Sequence, residues 1–400
     1  MSEVVLNDVC ELIVDCPHST AYDEGTGYPL VRTPNIGRGR LIYSGMHRVC
    51  EEVYNKRNAR AIPQTNDLIF AREATAGNVA LIREGEKVCL GQRTVLIRPN
   101  ANLVNPAFLT YHLLAPEQQY KLLSTANGAT VAHVNMPTIR NLKLSLPPLA
   151  TQHRIATILS RYDSLIENYQ KQIKLLEEAA QRLYKEWFVD LRFPGHENTN
   201  IVDGVPEGWE KKKISDVCET VGGGTPSTKV PGYYKGGRIK WVTPTDITRN
   251  NCICLLDTDK KITEEGLRNS STKMVPAGTI LMTSRASVGY FGIADFEVCT
   301  NQGFISCIPI PNMQMYLLFN LMSRVDEIRQ KAGGSTYLEI SKSVFRNFDI
   351  VCPSEIILLQ FQDKASLVLK KEKTLSLQLR LLTEARDRLL PKLMSGEITV

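Results

Sequence analysis

Polar and basic side chains gather in the segments between the predicted strands, in both halves of the chain. In the first half they are Arg32, Asn35, Arg38, Arg40, Arg48, Arg72, Thr75, Asn78, Gln92 and Arg93. In the second half they are Thr225, Ser227, Lys229, Thr243, Thr245, Arg249, Ser284, Arg285, Ser287, Asn301 and Gln302. Arginine matches the hydrogen-bonding edge of guanine, asparagine and glutamine match adenine, and lysine, serine and threonine bind phosphates. Any one of them is more often a solvated loop residue, but the same chemistry at equivalent turns favours a DNA-binding surface.

Motifs for catalysis are weak by comparison. Asn-Pro-Ala-Phe at residues 105–108 approaches the Asn/Asp-Pro-Pro-Tyr/Phe signature with which amino-methyltransferases bind an extruded base. The second proline is missing, and no glycine-rich strand–turn–helix for a methyl donor precedes it, so Pro106 is more typical of a first helical turn. The six histidines are isolated and have no metal-ligand spacing. We therefore predict a binding protein with no catalytic residue, no metal site and no cofactor on this chain.

Two other kinds of protein stay open as alternatives. One is a DNA adenine methyltransferase with a degenerate motif at residues 105–108. The other is a protein-binding scaffold whose loops do not contact DNA.

The run Gly-Gly-Gly-Thr-Pro at residues 222–226 has two interpretations. Its backbone N–H groups could hold a DNA phosphate, or the glycines could permit a tight turn. The run lacks the Gly-Lys-Ser/Thr ending of a nucleotide-binding P-loop and the spacing of a dinucleotide loop.

Composition places the chain among ordinary globular proteins. It has 400 residues, enough for two or more domains, 43% hydrophobic and 22% charged residues, and a formal net charge of +6. That charge permits a nucleic-acid partner without demanding one. We find no membrane-spanning run and no signal peptide, and the ten scattered cysteines include no Cys-x-x-Cys pair. We expect a cytoplasmic protein with reduced thiols.

Two long periodic stretches must position the polar loops. In residues 150–189 and again in residues 351–400, apolar residues recur at alternating spacings of four and three, which keeps one narrow seam facing a partner helix. The main seam residues are Leu159, Ile166, Ile173, Leu176 and Leu183 in the first stretch, and Leu375, Leu379, Leu382 and Leu389 in the second. Because a compact domain returns the chain near where it left, we predict that the two helices pair antiparallel within one chain. Pairing with a second copy is the alternative.

Two charged residues, Glu372 and Arg386, interrupt the second seam. They could fix the register of the helices or face another subunit, and the sequence leaves both possibilities open.

An internal repeat sets the domain organisation. Residues 67–70 (Asp-Leu-Ile-Phe) parallel residues 279–282 (Thr-Ile-Leu-Met), and residues 89–92 (Cys-Leu-Gly-Gln) parallel residues 299–302 (Cys-Thr-Asn-Gln). We predict an α+β fold in which two repeated mixed α/β domains are joined by two long antiparallel helices with approximate two-fold symmetry. The predicted segments are a first domain (residues 1–146), a central long helix (147–192), a linker with the second domain (193–350) and a terminal long helix (351–400). Within the two domains, helices are expected over residues 106–125 and 313–332.

These motifs resemble the specificity (S) subunits of type I restriction–modification systems over the whole chain. The most specific local matches are Gly-Gly-Gly-Thr-Pro-Ser at residues 222–227 and Gly-Gly-Arg-Ile-Lys-Trp-Val-Thr-Pro-Thr-Asp-Ile at residues 236–247. Leu-Pro-Pro at residues 146–148 and Leu-Leu-Pro-Lys-Leu at residues 389–393 are typical of the start of the central helix and the end of the terminal one. Asp-Cys-Pro-His at residues 15–18 replaces the glycine run in the first half, which fits two domains that each read different bases.

The resemblance implies a division of labour. Each domain would be a target recognition domain that reads one half of a split double-stranded DNA site. The helices would set the spacer and dock two methyltransferase subunits, which bind S-adenosylmethionine and methylate adenine after flipping it out. Restriction and translocase subunits would use ATP and Mg²⁺. The chain itself would be a non-catalytic subunit.

Overall fold

The computed structural model describes residues 2–124, 133–250, 252–334 and 337–400. Its contacts divide the chain into two compact units. The first unit is Met1–Ile166 with Leu382–Val400, and the second is Glu167–Leu381. Each unit therefore contains a globular part and a stretch of both long helices.

The first unit is a mixture of strands and helices. Its strands are β1 (Ser2–Val5), β2 (Cys10–Asp15), β3 (Tyr28–Val31), β4 (His47–Val49), β5 (Leu68–Ala71), β6 (Val79–Leu81), β7 (Cys89–Leu90), β8 (Thr94–Pro99) and β9 (Lys143–Leu146). Its helices are α1 (Glu51–Arg57), α2 (Pro106–Leu114), α3 (Pro116–Ser124), α4 (Met136–Arg140) and the start of the long helix α5 (Leu149–Tyr184). The sheets have the orders β2-β8-β5-β6, β4-β3-β7 and β1-β9, and β3 pairs with β7 in parallel.

The second unit repeats this arrangement after a π-helical turn at Lys185–Val189. Its strands are β10 (Ile201–Val202), β11 (Val205–Pro206), β12 (Glu210–Lys213), β13 (Cys218–Gly222), β14 (Ile239–Val242), β15 (Cys254–Leu255), β16 (Lys260–Ile262), β17 (Met274–Val275), β18 (Ile280–Thr283), β19 (Phe291–Ala294), β20 (Val298–Thr300), β21 (Phe304–Pro309) and β22 (Asp349–Cys352). Its helices are α6 (Ile214–Val217), α7 (Pro244–Thr248), α8 (Glu264–Arg268), α9 (Gln314–Ser323), α10 (Val325–Gln330), α11 (Lys342–Arg346) and most of α12 (Glu355–Ser395).

The sheets of the second unit follow the same plan as those of the first. Their orders are β13-β21-β18-β19-β15, β16-β14-β20-β17, β12-β22 and β10-β11. The parallel pair β14–β20 stands where β3–β7 stands in the first unit. The predicted repeat of mixed α/β domains with long helices is thereby confirmed.

The central strand of each unit is buried on both faces. In β5, Leu68 and Phe70 join the core under the helices, whereas Ile69 and Ala71 join a second core between the two sheets. This split follows from the two-residue period of a strand, which sends successive side chains to opposite faces. Each globular part therefore has two hydrophobic layers that share one sheet.

Three predicted helix boundaries need correction. The segment expected at residues 106–125 is two helices, because Pro116 forces the preceding Ala115 into an extended conformation; Thr125 lies outside the described residues. The segment at residues 313–332 also divides, at Arg324, whose backbone is not helical. The terminal helix begins at Glu355 rather than at residue 351, because residues 349–352 pair with β12 instead.

Within the first unit, the start of α5 packs against the end of α12. Ile155 and Leu159 share a core with Leu390 and Leu393, so the two helices run antiparallel there. Beside this core the Asp163 carboxylate accepts hydrogen bonds from the Tyr111 hydroxyl at 2.6 Å and from Arg386 Nη1 at 2.8 Å. Arg386 therefore pairs with the other helix of its own chain.

Within the second unit, the two helices are again antiparallel, since Tyr184 and Trp187 near the end of α5 pack against Phe361 and Ala365 near the start of α12. Of the nine residues predicted to form the seam, four are fully buried: Leu159, Ile166, Ile173 and Leu375. The other proposed seam residues are half-buried: Leu176, Leu183, Leu379, Leu382 and Leu389.

A pair of carboxyl groups ties the helices of the second unit to its globular part. Glu177 on α5 accepts the Ile253 N–H at 2.8 Å, and Glu372 on α12 accepts the Cys254 N–H at 2.9 Å. The two carboxyls also interact with each other, and a proton on one of them removes the repulsion between two buried negative charges. Burial raises the pKa of Glu372 to about 7, and the charge of Glu177 adds to that rise. The interruption of the seam at Glu372 is thus a contact with the domain it supports.

We predict that Leu159→Ala destabilises the protein by about 2–5 kcal/mol, because Leu159 is fully buried between the helices of the first unit. The matched control is Leu165→Ala, whose side chain lies on the same helix but is 43% exposed. It should change stability by no more than about 0.5 kcal/mol. Denaturant unfolding of both variants measures the difference, and equal effects would show that the burial pattern is wrong.

We predict that Glu372→Gln removes a pH dependence of stability. The folded protein binds the Glu372 proton more tightly than the unfolded chain, so this contribution is present below pH 4.5 and is lost as pH rises to about 7. Glutamine keeps an acceptor for Cys254 and a donor for Glu177 at every pH. At pH 8 the variant should exceed the natural protein in unfolding free energy by about 2–3 kcal/mol.

The measurement is denaturant unfolding at pH 5, 6, 7 and 8, with Glu186→Gln as the control, because Glu186 is exposed in the π-helical turn that follows α5. The difference in unfolding free energy between Glu372→Gln and the natural protein should grow with pH. A difference that stays constant from pH 5 to pH 8 would contradict the raised pKa of Glu372.

Candidate nucleic-acid interface

Parallel strands bring several of the predicted residues of the first unit to one edge. Because β3 and β7 are parallel, Arg32 after β3 and Gln92 after β7 emerge at the same end of the sheet. Gly91 allows this approach, since a Cβ there would lie 2.6 Å from the Val31 carbonyl oxygen. The Arg72 N–H donates to the Arg93 carbonyl at 2.9 Å, which adds the end of β5 to the same edge.

Three buried or half-buried polar residues of this edge hold its loops in place. The Thr75 hydroxyl donates to the Thr33 carbonyl at 2.8 Å, and the Asn78 amide donates to the Ile36 carbonyl at 3.0 Å. Asn35, only 2% exposed, accepts the Arg32 N–H at 3.2 Å. Each of these three side chains hydrogen-bonds to the backbone of a neighbouring segment, so they shape the loops.

Arg72 is also structural in its contacts. It is 8% exposed, and it donates to the Asp15 carboxylate at 2.7 Å and to the Val134 carbonyl at 2.9 Å. Gln92 and Arg93 lie outside this buried layer: Gln92 is half-buried and donates to the His18 carbonyl, and Arg93 is exposed. The exposed donors of the edge are therefore few.

Three predicted arginines of the first unit lie elsewhere. Arg38 donates to the Leu114 carbonyl at 3.0 Å, and the following Gly39 lies close to the Asp163 carboxylate, so this loop faces the long helices. Arg40 is half-buried in the same loop, where its carbonyl accepts the Gly37 N–H. Arg48 lies on the edge strand β4 and donates to the Gly27 carbonyl at 2.8 Å.

The second unit forms a comparable edge at the ends of β14, β18 and β20. The Asn301 N–H donates to the Val242 carbonyl at 3.0 Å, and the Ser284 N–H donates to the Gly303 carbonyl at 2.8 Å. The exposed side chains of Thr225 and Gln302 hydrogen-bond to each other. The fold thus assembles Thr225, Thr243, Ser284, Arg285, Asn301 and Gln302 at one place.

The other predicted residues of the second unit are exposed and lie in neighbouring segments of the chain. Ser227 and Lys229 belong to the loop after Pro226, while Thr245 and Arg249 lie on and beyond α7. Ser287 follows the turn after β18. Thr243 caps α7 through the Asp246 carboxylate at 2.7 Å.

The glycine run at residues 222–224 is a site of close backbone approach. A Cβ on Gly223 would lie 2.0 Å from the Asn301 carbonyl oxygen, and one on Gly224 would lie 2.3 Å from the Ser271 hydroxyl. The Gly224 N–H donates to the Thr300 carbonyl, and its carbonyl accepts from the Trp241 indole at 3.0 Å. The backbone groups of Gly224 are occupied, which counts against its N–H as a phosphate donor, and the run forms no tight turn: Gly222 ends β13 and the next two glycines permit close backbone packing.

Several residues at these edges carry no motif and were absent from the sequence-based set. In the first unit they are the acids Asp15 and Glu73 and the imidazole of His133. In the second unit Glu339 pairs with Arg285 at 3.5 Å. Each becomes visible only when distant loops meet, although Glu73 is adjacent to Arg72 in the chain.

The candidate methyltransferase motif acts as a helix start. The Asn105 side chain accepts the Phe108 N–H at 2.9 Å and so caps α2, and Pro106 is the first residue of that helix. Among the residues that the structure describes, no cluster of histidine, cysteine and acidic side chains is arranged to hold a metal ion. Within the same residues, no helix combines the length and apolarity needed to cross a membrane.

We predict that Gly223→Ala destabilises the second unit by about 1–3 kcal/mol, because its methyl group would collide with fixed backbone. Gly232→Ala is the control, since a Cβ there meets nothing within 4 Å, and it should cost no more than about 0.5 kcal/mol. Thermal unfolding of both variants tests this. A Gly223→Ala protein of normal stability that lost only DNA affinity would favour the phosphate-binding interpretation instead.

The sequence also matches that of a known protein family. The sequence profile described as "Type I restriction modification DNA specificity domain" matches residues 1–178 and again residues 206–366. The HindI type I restriction enzyme specificity subunit of Haemophilus influenzae is 27% identical over 369 residues, covering 76% of this chain and 80% of that one. The MjaIX specificity subunit of Methanocaldococcus jannaschii is 39% identical over 153 residues, covering 38% of this chain and 35% of that one.

The fold has a solved counterpart as well. The crystal structure of a type I restriction–modification S subunit from M. genitalium covers 98% of this chain and 95% of its own, with a TM-score of 0.63 and 15% sequence identity. At that identity the likeness concerns the fold alone, whereas the two profile matches take in most of the sequence. The chain belongs to the type I restriction–modification DNA specificity family and carries its domain twice.

Proposed function

We propose that this chain is the DNA-recognition subunit of a type I restriction–modification complex and that each globular part reads one half of a bipartite target. The observation that carries the proposal is the edge at which each unit gathers its polar residues, which we call its polar edge. It lies at the end of the parallel pair β3–β7 in the first unit and β14–β20 in the second, and the chain carries two copies of the specificity domain. Side chains held on rigid strand ends suit the reading of base edges, because their positions are set before DNA binds.

The long helices would act as the spacer and as the docking surface for two methyltransferase subunits. Leu165, Leu175, Leu367 and Leu381 are apolar and between 43% and 65% exposed on these helices. A partner docked on the helices would remove this apolar surface from water. The restriction and translocase subunits would complete the nuclease form of the complex.

Chemistry in this scheme belongs to the partner subunits. The methyltransferase subunits would bind S-adenosylmethionine and modify an adenine in each half-site, and the translocase subunits would bind ATP and Mg²⁺. This chain would contribute no reacting group; it would select the sequence and hold the partners at a set separation.

Domain exchange tests the division into two readers. We predict that replacing residues 1–146 with the equivalent domain of a relative changes one half of the methylated target, while the other half stays the same. Replacing residues 193–350 should have the complementary effect. Methylome sequencing of a host that carries the intact system gives both targets directly, because methylated adenines mark each half-site.

Three results would count against the proposal. A continuous target, or an exchange that altered both halves, would contradict two independent readers. Binding of the methyl donor to the isolated chain would favour a methyltransferase. Absence of salt-dependent DNA binding by the assembled complex would favour a scaffold.

A further inference from the structure

A continuous chain of polar contacts crosses the polar edge of the first unit. Arg72 Nη1 donates to Asp15 at 2.7 Å, and Arg72 Nη2 lies 2.9 Å from His133 Nε2. His133 Nδ1 lies 2.7 Å from Glu73 Oε1, and Arg93 Nη1 lies 2.7 Å from Glu73 Oε2. The network therefore runs Asp15–Arg72–His133–Glu73–Arg93, from a buried arginine to an exposed one.

The donors and acceptors of this network determine its proton positions. An arginine nitrogen can only donate, so His133 Nε2 must accept from Arg72. The imidazole then carries its hydrogen on Nδ1 and donates it to Glu73. A protonated ring would set two N–H groups against each other. In the neutral tautomer both contacts of the His133 ring are hydrogen bonds, and Glu73 accepts one of them through Oε1 while its Oε2 pairs with Arg93.

Arg93 occupies an unusual backbone conformation at the end of this network. Its φ of 62° lies in the left-handed region, which residues other than glycine rarely adopt. Such a conformation costs on the order of 1 kcal/mol or more. Its side chain is 60% exposed, while that of Glu73 is 18% exposed. An exposed ion pair adds little stability in water. The conformation therefore points to a role outside the fold, for which the guanidinium is oriented in advance.

We propose that Arg93 reads a guanine in the first half of the DNA target, with Glu73 and His133 as positioning residues that aim its guanidinium. The inference rests on the proposed function and names one specificity-determining contact within it. Arginine forms two parallel hydrogen bonds to guanine O6 and N7. Glu73 contacts Nη1, and the Arg93 side chain is 60% exposed, so N–H groups of the guanidinium stay accessible to a ligand.

The charges of the network favour a base over a phosphate as the ligand. Asp15 and Glu73 offset Arg72 and Arg93, so with His133 neutral the cluster carries no net charge. A phosphate contact depends on excess positive charge, which Glu73 removes here. A base contact depends on direction, which Glu73 supplies. The same acid that weakens general DNA attraction thus sharpens discrimination.

The experiment uses the assembled complex with its methyltransferase subunits. Arg93→Ala should relax one guanine position in the first half of the methylated target and weaken binding to the natural site by roughly 5- to 150-fold. Arg93→Lys should not restore that position, because an ammonium is a point charge without the planar fork. Lys56→Ala, which removes the same charge from the exposed face of α1, should leave the target unchanged.

The Glu73→Gln variant distinguishes the effect of Glu73 on the orientation of Arg93 from the effect of its negative charge. It removes a negative charge near DNA, so affinity for unrelated sequences should stay the same or rise, while discrimination at the same guanine falls. A residue that only stabilised the fold would lower both affinities together. Binding of target and unrelated duplexes across a salt series measures the two quantities, and thermal unfolding shows that the variants are folded.

The second half of the target serves as an internal control. It should stay strict in every variant, because its reader is untouched. Full strictness at every first-half position in Arg93→Ala, or a first half without guanine, would overturn the assignment. The proposed function fails by a different observation, namely a natural complex that has no bipartite target.

Discussion

The structure of each unit depends on one strand that is buried on both faces. In β5, Leu68 and Phe70 enter one hydrophobic core and Ile69 and Ala71 enter the other, and in β18 Ile280 and Leu281 divide in the same way. Such a strand cannot shift by one residue without sending its side chains into the wrong layer. The loops at the end of this strand are consequently fixed in position relative to the two cores, as the reading of base edges would require.

The loops at the polar edge contain two kinds of side chain: some hydrogen-bond within the unit, and others are exposed to solvent. Asn35, Thr75 and Asn78 close hydrogen bonds inside the first unit, whereas Arg93 projects outward from a network anchored on the buried Arg72. In the second unit the glycine run performs the holding by close backbone contact. The two units therefore hold their loops in place with different residues.

The long helices connect to the globular parts through polar contacts as well as apolar ones. Asp163 joins Tyr111 and Arg386 in the first unit, and Glu177 and Glu372 hold backbone N–H groups of β15 and the residue before it in the second. The first junction contains an ion pair, whereas the second contains two buried carboxyl groups, of which Glu372 has a pKa raised by burial to about 7.

Much of the architecture could be predicted from the sequence because it depends on local spacing. The four–three period marked both helices, two-residue alternation and repeated motifs marked the strands, and Asn105 with Pro106 marked a helix start. Side-chain partners could not be predicted in this way. Glu177 and Glu372 are far apart in the chain, and so are Glu73 and His133, so only the folded structure could bring the members of each pair together. For the same reason, sequence alone determined that arginines populate these loops, whereas the tertiary structure decided that Arg72 is buried and Arg93 is exposed.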